Sequence, residues 1–351
     1  MNSRLKKILK YSLSIAVAIL LLWVSFKGVD WKMFWLGLKS CRWGFVIISM
    51  LIGALSFYFR GLRWRQLLLT IDPSTSRLTC FNAVNISYIA NMVLPRVGEF
   101  IRCGYVHRHS QKMPNGKRMA TYDKIFGTGL VDRIWDVMTM IIFLVGVMFF
   151  TWDRFGDFFH DKLLAPISAK LNFNVSWMIV LVVALLIAFI WACIHFRKKS
   201  RFFGKIYEVC AGILQGMRTC LLAKNWWMTM IHSICVWLCY WMTSYTVVLA
   251  VQGINPAAFP PEMASGIASL MDLDVMDALF LMIVGSISTV VPVPGGFGAY
   301  HYLLTLGLSA VYGIPSEIGI IYATLSHESQ VLIQIICGCS SYGYEAMIKV
   351  K

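Results

Sequence analysis

Two apolar stretches of this chain are cut by proline and then glycine before they are long enough to cross a bilayer comfortably. The first reads Asn91-Met92-Val93-Leu94-Pro95-Arg96-Val97-Gly98-Glu99-Phe100-Ile101-Arg102, the second Ser288-Thr289-Val290-Val291-Pro292-Val293-Pro294-Gly295-Gly296-Phe297-Gly298-Ala299-Tyr300-His301. After each break a helix-compatible pattern resumes with a polar or ionisable residue. A spanning helix needs about 20 apolar residues. Inside a membrane, a broken helix is tolerated only where it is buried in protein or lines a wet cavity. One such segment in each half of a chain is a sequence pointer to a transport site. The pattern therefore predicts an all-α integral membrane protein, a polytopic bundle with two inverted re-entrant helical hairpins.

Composition agrees. The chain is 58% hydrophobic and 14% charged, with mean hydropathy +0.67. No polar stretch approaches the about 100–150 residues of a typical soluble domain, so residues 1–351 read as a single transmembrane domain. Trp23, Trp43, Trp152, Trp177, Trp226 and Trp227 stand at the ends of apolar runs, as an interfacial aromatic belt does. The net charge of +15 lies in loops beside these runs, which marks orientation and headgroup contact and not nucleic-acid binding. The ten cysteines form no CxxC and no zinc-type Cys/His spacing, and no metal or other cofactor is expected. Arg4, Lys6, Lys7 and Lys10 precede an apolar run without a small-x-small cleavage site, so the first helix is expected to be retained.

The expected spans are about 10–26, 43–60, 125–150, 176–196, 226–251 and 317–340, with re-entrant elements at about 80–95 and 278–312. Helical spacing of Phe202, Phe203, Ile206, Val209, Ile213, Met217 and Leu221 marks 201–222 as an amphipathic cytoplasmic helix or a packed linker helix. With both termini cytoplasmic, the cytoplasmic segments hold 24 of the 32 Lys and Arg, the opposite side 7, and one, Arg133, falls within a span. This is the asymmetry the positive-inside rule demands. Were either broken segment a full span, the charge-rich loops after it would change sides.

Arg60, Arg63 and Arg65 follow the second span; they read as a snorkelling flank or as a phosphate-binding rim, since guanidinium forks match phosphate oxygens. Glu99 and Arg102 either pair with each other at helical spacing or, with Arg96 and the backbone N–H groups freed by Pro95 and Gly98, favour an anionic headgroup. Asp132, Arg133 and Asp136 lie within a span, where charge marks either a salt-bridge cluster or a functional site. Their expected partners are Arg102 or the Arg60–Arg65 group. Arg102 and Arg133 are expected to matter more for lipid handling than for folding. Gly295, Gly296 and Gly298 lack a preceding strand and a GK[ST], so they permit a tight turn and do not form a phosphate loop. His301, His327 and Glu328 are packing residues or a proton relay. No catalytic constellation is evident, and the chain is not expected to be an enzyme.

At these residues the chain resembles the flippase-like transmembrane region of lysylphosphatidylglycerol synthases. The matching pieces are Arg60-x-x-Arg63-Trp64, Leu94-Pro95-x-x-Gly98-Glu99-x-x-Arg102, Val131-Asp132-Arg133-Ile134-x-Asp136 and Pro292-x-Pro294-Gly295-Gly296-x-Gly298, with a late span ending in Gly338. Together they cover about residues 5–345. The resemblance implies a bacterial inner-membrane protein that moves an anionic phospholipid or lipid-linked phosphate intermediate between leaflets. In the full-length synthases a soluble aminoacyl-transferring domain follows; this sequence ends at Lys351, and that activity is expected to be absent. The family often has a carboxylate shortly after the glycine motif, where this chain has Tyr300 and His301. The rival readings are a membrane enzyme acting on a lipid-linked substrate, with Glu99 or Asp132 as base, and a non-transporting scaffold for an envelope or glycosyltransferase complex.

Overall fold

The computed structural model describes residues 16, 19–93, 97–114, 116, 118–158, 160–161, 184, 188–189, 191–192, 194–196, 200, 203–204, 207, 226–288, 291 and 293–350. The start of the expected span 10–26, most of the span 176–196 and of the amphipathic helix 201–222, and Pro95, Arg96 and Pro292 lie outside these residues. Among the described residues the regular structure is helical, apart from one isolated bridge between Lys112 and Arg118.

A helical stretch at 19–26 leads into α1 (Trp31–Ser40). The Asp30 carboxylate caps α1 by accepting from the N–H groups of Lys32 and Met33, satisfying donors that have no partner within the helix. The sequence pattern treated this region as an external loop. It folds because Phe34 and Gly37 pack inward, with Gly37 so close to the final helix that an added Cβ would stand 2.6 Å from the Ile321 side chain.

The next helix, α2 (Trp43–Leu68), is longer than the expected span 43–60. It carries the arginine triplet on continuous helix, with Arg63 and Trp64 fully buried. The snorkelling reading of Arg63 is thereby corrected: its guanidinium points into protein, not out to an interface. The main partner of α2 is α6 (Trp226–Val251). The Ser49 hydroxyl donates to the Thr243 carbonyl at 3.2 Å across this contact, a use of small polar residues common between membrane helices.

The first hairpin is α3 (Arg77–Val93) and α4 (Val97–His109). At about 1.5 Å per residue these limbs are about 26 and 20 Å long, short of the about 30 Å hydrocarbon core. Gly98 lets the limbs close on each other: a Cβ there would lie 2.7 Å from the Ser87 hydroxyl and 2.8 Å from the Asn91 amide oxygen. After it, α5 (Tyr122–Asp157) runs for 36 residues, beyond both ends of the expected 125–150.

Short helices fill the acidic segment that follows α6, including α7 (Pro261–Ala268). The second hairpin is α8 (Val275–Ile287) and α9 (Ala299–Tyr312). Asp274 and Asp277 form a reciprocal capping box at the start of α8, and the Tyr312 hydroxyl donates to Asp277 at 2.7 Å. The start of one limb is thus tied to the end of the other. Between the limbs Gly295, Gly296 and Gly298 have φ of 60°, 80° and 82°, a left-handed conformation that only glycine adopts without strain. The final helix, α10 (Ser316–Val350), has 35 residues and touches α1, α2, α3, α6 and α9.

Among the described residues two large apolar cores result, with two smaller clusters beside them. One joins α2, α3, α4 and α5 around Trp64, Leu68, Ala83, Cys103 and Ile125. The larger joins α1, α6, α8, α9 and α10 around Val248, Phe280, Leu304 and Ile321. The halves meet where α3 touches the turn Pro294–Gly296 and lies along α10. Of the described helices, α2 and α6 each contain a stretch long and apolar enough to cross a membrane. The outward faces of α2, α5, α6 and α10 expose large apolar side chains, among them Leu51, Ile142, Phe149, Ile234 and Leu332. Contiguous apolar surface on this scale is unfavourable in water and marks contact with lipid or protein.

Candidate functional site

Seven of the charged residues singled out in the sequence form one network. Asp132 of α5 accepts from Arg63 Nε at 3.0 Å and Nη2 at 2.8 Å on one oxygen, and from Arg102 Nη1 at 3.3 Å on the other. Asp136, one turn later, accepts from Arg63 Nη2 at 2.6 Å, from Arg133 Nη1 at 3.2 Å and from Arg60 Nη2. Glu99 on α4 pairs with Arg102 at 2.7 Å and with Arg133. Three helices, α2, α4 and α5, are thereby held together by four guanidiniums and three carboxylates, an excess of one positive charge.

Local sequence explains the placement. Arg60 and Arg63, three apart, share a face of α2; Asp132 and Asp136, four apart, share a face of α5. The guanidinium of Arg102 lies 4.4 Å from the centre of the Trp64 ring, and the indole N–H donates to the Thr128 hydroxyl at 3.1 Å. Arg63, Arg102 and Asp132 are each 1% exposed. Arg102 is therefore enclosed, its charge met by Asp132 and Glu99. The Gly98 N–H, expected to be free for an anion, donates instead to Asn91 at 2.8 Å. Asn91 thus takes the Gly98 N–H, and Glu99 and Arg102 pair with each other, the first of their two expected readings.

Arg60 is placed differently. Its Nη1 donates to the hydroxyls of Tyr240 at 2.7 Å and Tyr88 at 3.2 Å, while its Nε has no partner among the described residues. It lines a cavity of about 420 Å³ between α2, α3, α6, α8 and α10, closed at one side by Gly295 and Gly296 of the second break. The rest of the wall is rich in hydroxyls and amides, including Thr243, Ser286, Tyr300, Ser326, Gln330 and Gln334. These sequence reading missed. Their signal was the recurrence of polar residues at mid-length in otherwise apolar helices.

The far wall carries the remaining site residues. His327 Nε2 donates to the Gly295 carbonyl at 2.9 Å, and its Nδ1 lies 3.0 Å from Glu328 Oε1. His301, on α9 and 1% exposed, places Nε2 3.5 Å from the same oxygen. A carboxylate thus does reach the region after the glycine motif, but from α10. The structure brings His301, His327 and Glu328 together, apart from the arginine network, with the cavity reaching from Arg60 to His327.

The family model for the lysylphosphatidylglycerol synthase TM region matches residues 11–338. The chain belongs to this family. It is accordingly a membrane protein with spanning helices and a lipid-related role, and the apolar outer faces of α2, α5, α6 and α10 are read as its lipid-facing surface. No match was found among curated proteins or among solved structures.

Proposed function

We propose that this family member moves an anionic or phosphate-bearing lipid between leaflets, holding the headgroup in the cavity while the acyl chains stay in the bilayer. The observation that carries the reading is Arg60: a guanidinium with an uncommitted N–H, set in a cavity of about 420 Å³ whose wall carries hydroxyls and amides among apolar side chains. A buried arginine fork suits phosphate oxygens, and the surrounding hydroxyls can take the place of headgroup water. The arginine network behind it fixes its position. In this reading α3–α4 and α8–α9 are re-entrant from opposite sides, the first from the cytoplasm, and both termini are cytoplasmic in a bacterial inner membrane.

The reading assigns no chemical step to the chain. Against a membrane enzyme using Glu99 or Asp132 as base stands their engagement: both oxygens of each carboxylate are held by guanidiniums, and neither residue lines the cavity. Purified protein in liposomes tests the proposal. Transfer of labelled anionic phospholipid between leaflets without chemical change is the expected result. Formation of a new lipid product would make it an enzyme, and neither outcome would leave the scaffold reading with an envelope or glycosyltransferase partner.

The topology is tested separately. Single-cysteine labelling in intact cells is expected to place position 112 in the cytoplasm with position 199, and positions 161 and 274 outside. Labelling of 112 and 199 from opposite sides would defeat the inverted arrangement.

A further inference from the structure

His301 and His327 stand on different helices, and the chain turn at Gly313 separates them in sequence, so their spacing resembles no metal motif. The fold brings them to one point. The Gly295 carbonyl can only accept, so His327 Nε2, 2.9 Å away, carries the ring proton. In the neutral ring, Nδ1 then presents its lone pair to Glu328 Oε1 at 3.0 Å. His301 Nε2 faces the same oxygen at 3.5 Å, while its Nδ1 is buried without a partner among the described residues. Two imidazole nitrogens and a carboxylate oxygen converge on one point, where either a ring proton or a metal cation can sit between them.

We propose that His301, His327 and Glu328 form a binding site for a divalent transition-metal ion of the zinc type. The three ligand atoms lie within 4.8 Å of one another. A tetrahedral ion with bonds of about 2.0–2.1 Å sets its ligand atoms about 3.3–3.4 Å apart. The separations of the two imidazole nitrogens from Glu328 Oε1, 3.0 and 3.5 Å, bracket that value, while the pair of imidazole nitrogens is held within the wider 4.8 Å limit. Two imidazoles and one carboxylate are ligands suited to zinc and its neighbours, whereas magnesium and calcium favour all-oxygen sites. The His327 N–H on Gly295 is the outer hydrogen bond that a ligating histidine ordinarily makes, fixing tautomer and ring orientation. Here it ties the ion to the turn of the second break. Three protein ligands leave a fourth position for water or a headgroup oxygen, and His327 belongs to the cavity wall. The site stands on its own geometry and does not depend on lipid movement.

Cobalt(II) is the probe. Protein carrying a histidine-free affinity tag is purified in detergent, stripped with chelator and titrated with Co²⁺. One tight site with d–d absorption of nitrogen-ligated cobalt is expected, displaced by Zn²⁺. Glu328→Gln and His301→Asn preserve approximate shape, and each should weaken binding by more than the about 10–100-fold that loss of an outer-shell partner costs. Melting without metal is recorded for each variant, and only variants that melt as the parent does are scored. No cobalt uptake by the parent protein, or equal uptake by the folded variants, would overturn the site.

Discussion

Replacing Arg63 with alanine is expected to lower stability by about 3–5 kcal/mol, the range for removing one partner of a buried charge pair. The side chain is 1% exposed and serves both Asp132 and Asp136. Its loss strands Asp132 between α2 and α5 with only the 3.3 Å contact to Arg102. Lysine at the same position should recover little, because a point charge cannot reproduce a fork that spans two carboxylates. The double variant Arg63→Met with Asp132→Leu should melt above Arg63→Ala, since no unpaired charge remains at Asp132. Thermal melting in detergent checks all three. An Arg63→Ala protein that melts as the parent does would show that the network carries no structural weight.

Replacing Arg60 with glutamine is expected to do the reverse: large loss of lipid transfer with little loss of stability. Asp136 retains Arg63 and Arg133 after the change, so no carboxylate is left unpaired. The cavity, however, loses its one arginine. A charge-assisted hydrogen bond contributes about 1.5–3 kcal/mol, so losing it from the occupied cavity alone should slow transfer by about 10–100-fold. Initial transfer rates in liposomes, read beside the melting temperature, separate the two effects. Normal transfer by a folded Arg60→Gln protein would remove this guanidinium from the mechanism.

The contrast between these two arginines shows what a linear reading could and could not recover. The breaks were legible because proline and glycine act locally on the backbone, and α3–α4 and α8–α9 flank them. The charged residues of the network were legible as a set because charge within apolar sequence is costly. Their division of labour was not. Arg60 and Arg63 sit one turn apart on the same helix, and only the positions of α3, α5 and α6 decide that Arg63 meets two carboxylates while Arg60 meets one carboxylate, two tyrosines and a cavity. Hydropathy also ended the second span at Arg60, since it counts the cost of an arginine and not the compensation from Asp136, 76 residues on. Asn91 as the partner of the Gly98 N–H, and Glu328 as the companion of His301, are likewise products of tertiary approach. The uncharged part of the cavity wall left the faintest trace, for serine and tyrosine within a helix are ordinary until several helices present them to one space.

The length of α10 carries a consequence for what lies outside the bilayer. At about 1.5 Å per residue its 35 residues extend about 52 Å. Even at a tilt of about 40°, the steep end of the usual range, a hydrocarbon layer of about 30 Å accommodates only about 26 of them. The remaining turns must emerge. The C-terminal end of α10 is anchored: Glu345 is 3.1 Å from His109 Nε2 and 3.7 Å from Arg108 Nη1 at the close of α4. The last turns of α10 and the end of α4 are therefore tied to each other, and in the proposed topology this joint stands beyond the bilayer on the cytoplasmic side, beside the first hairpin.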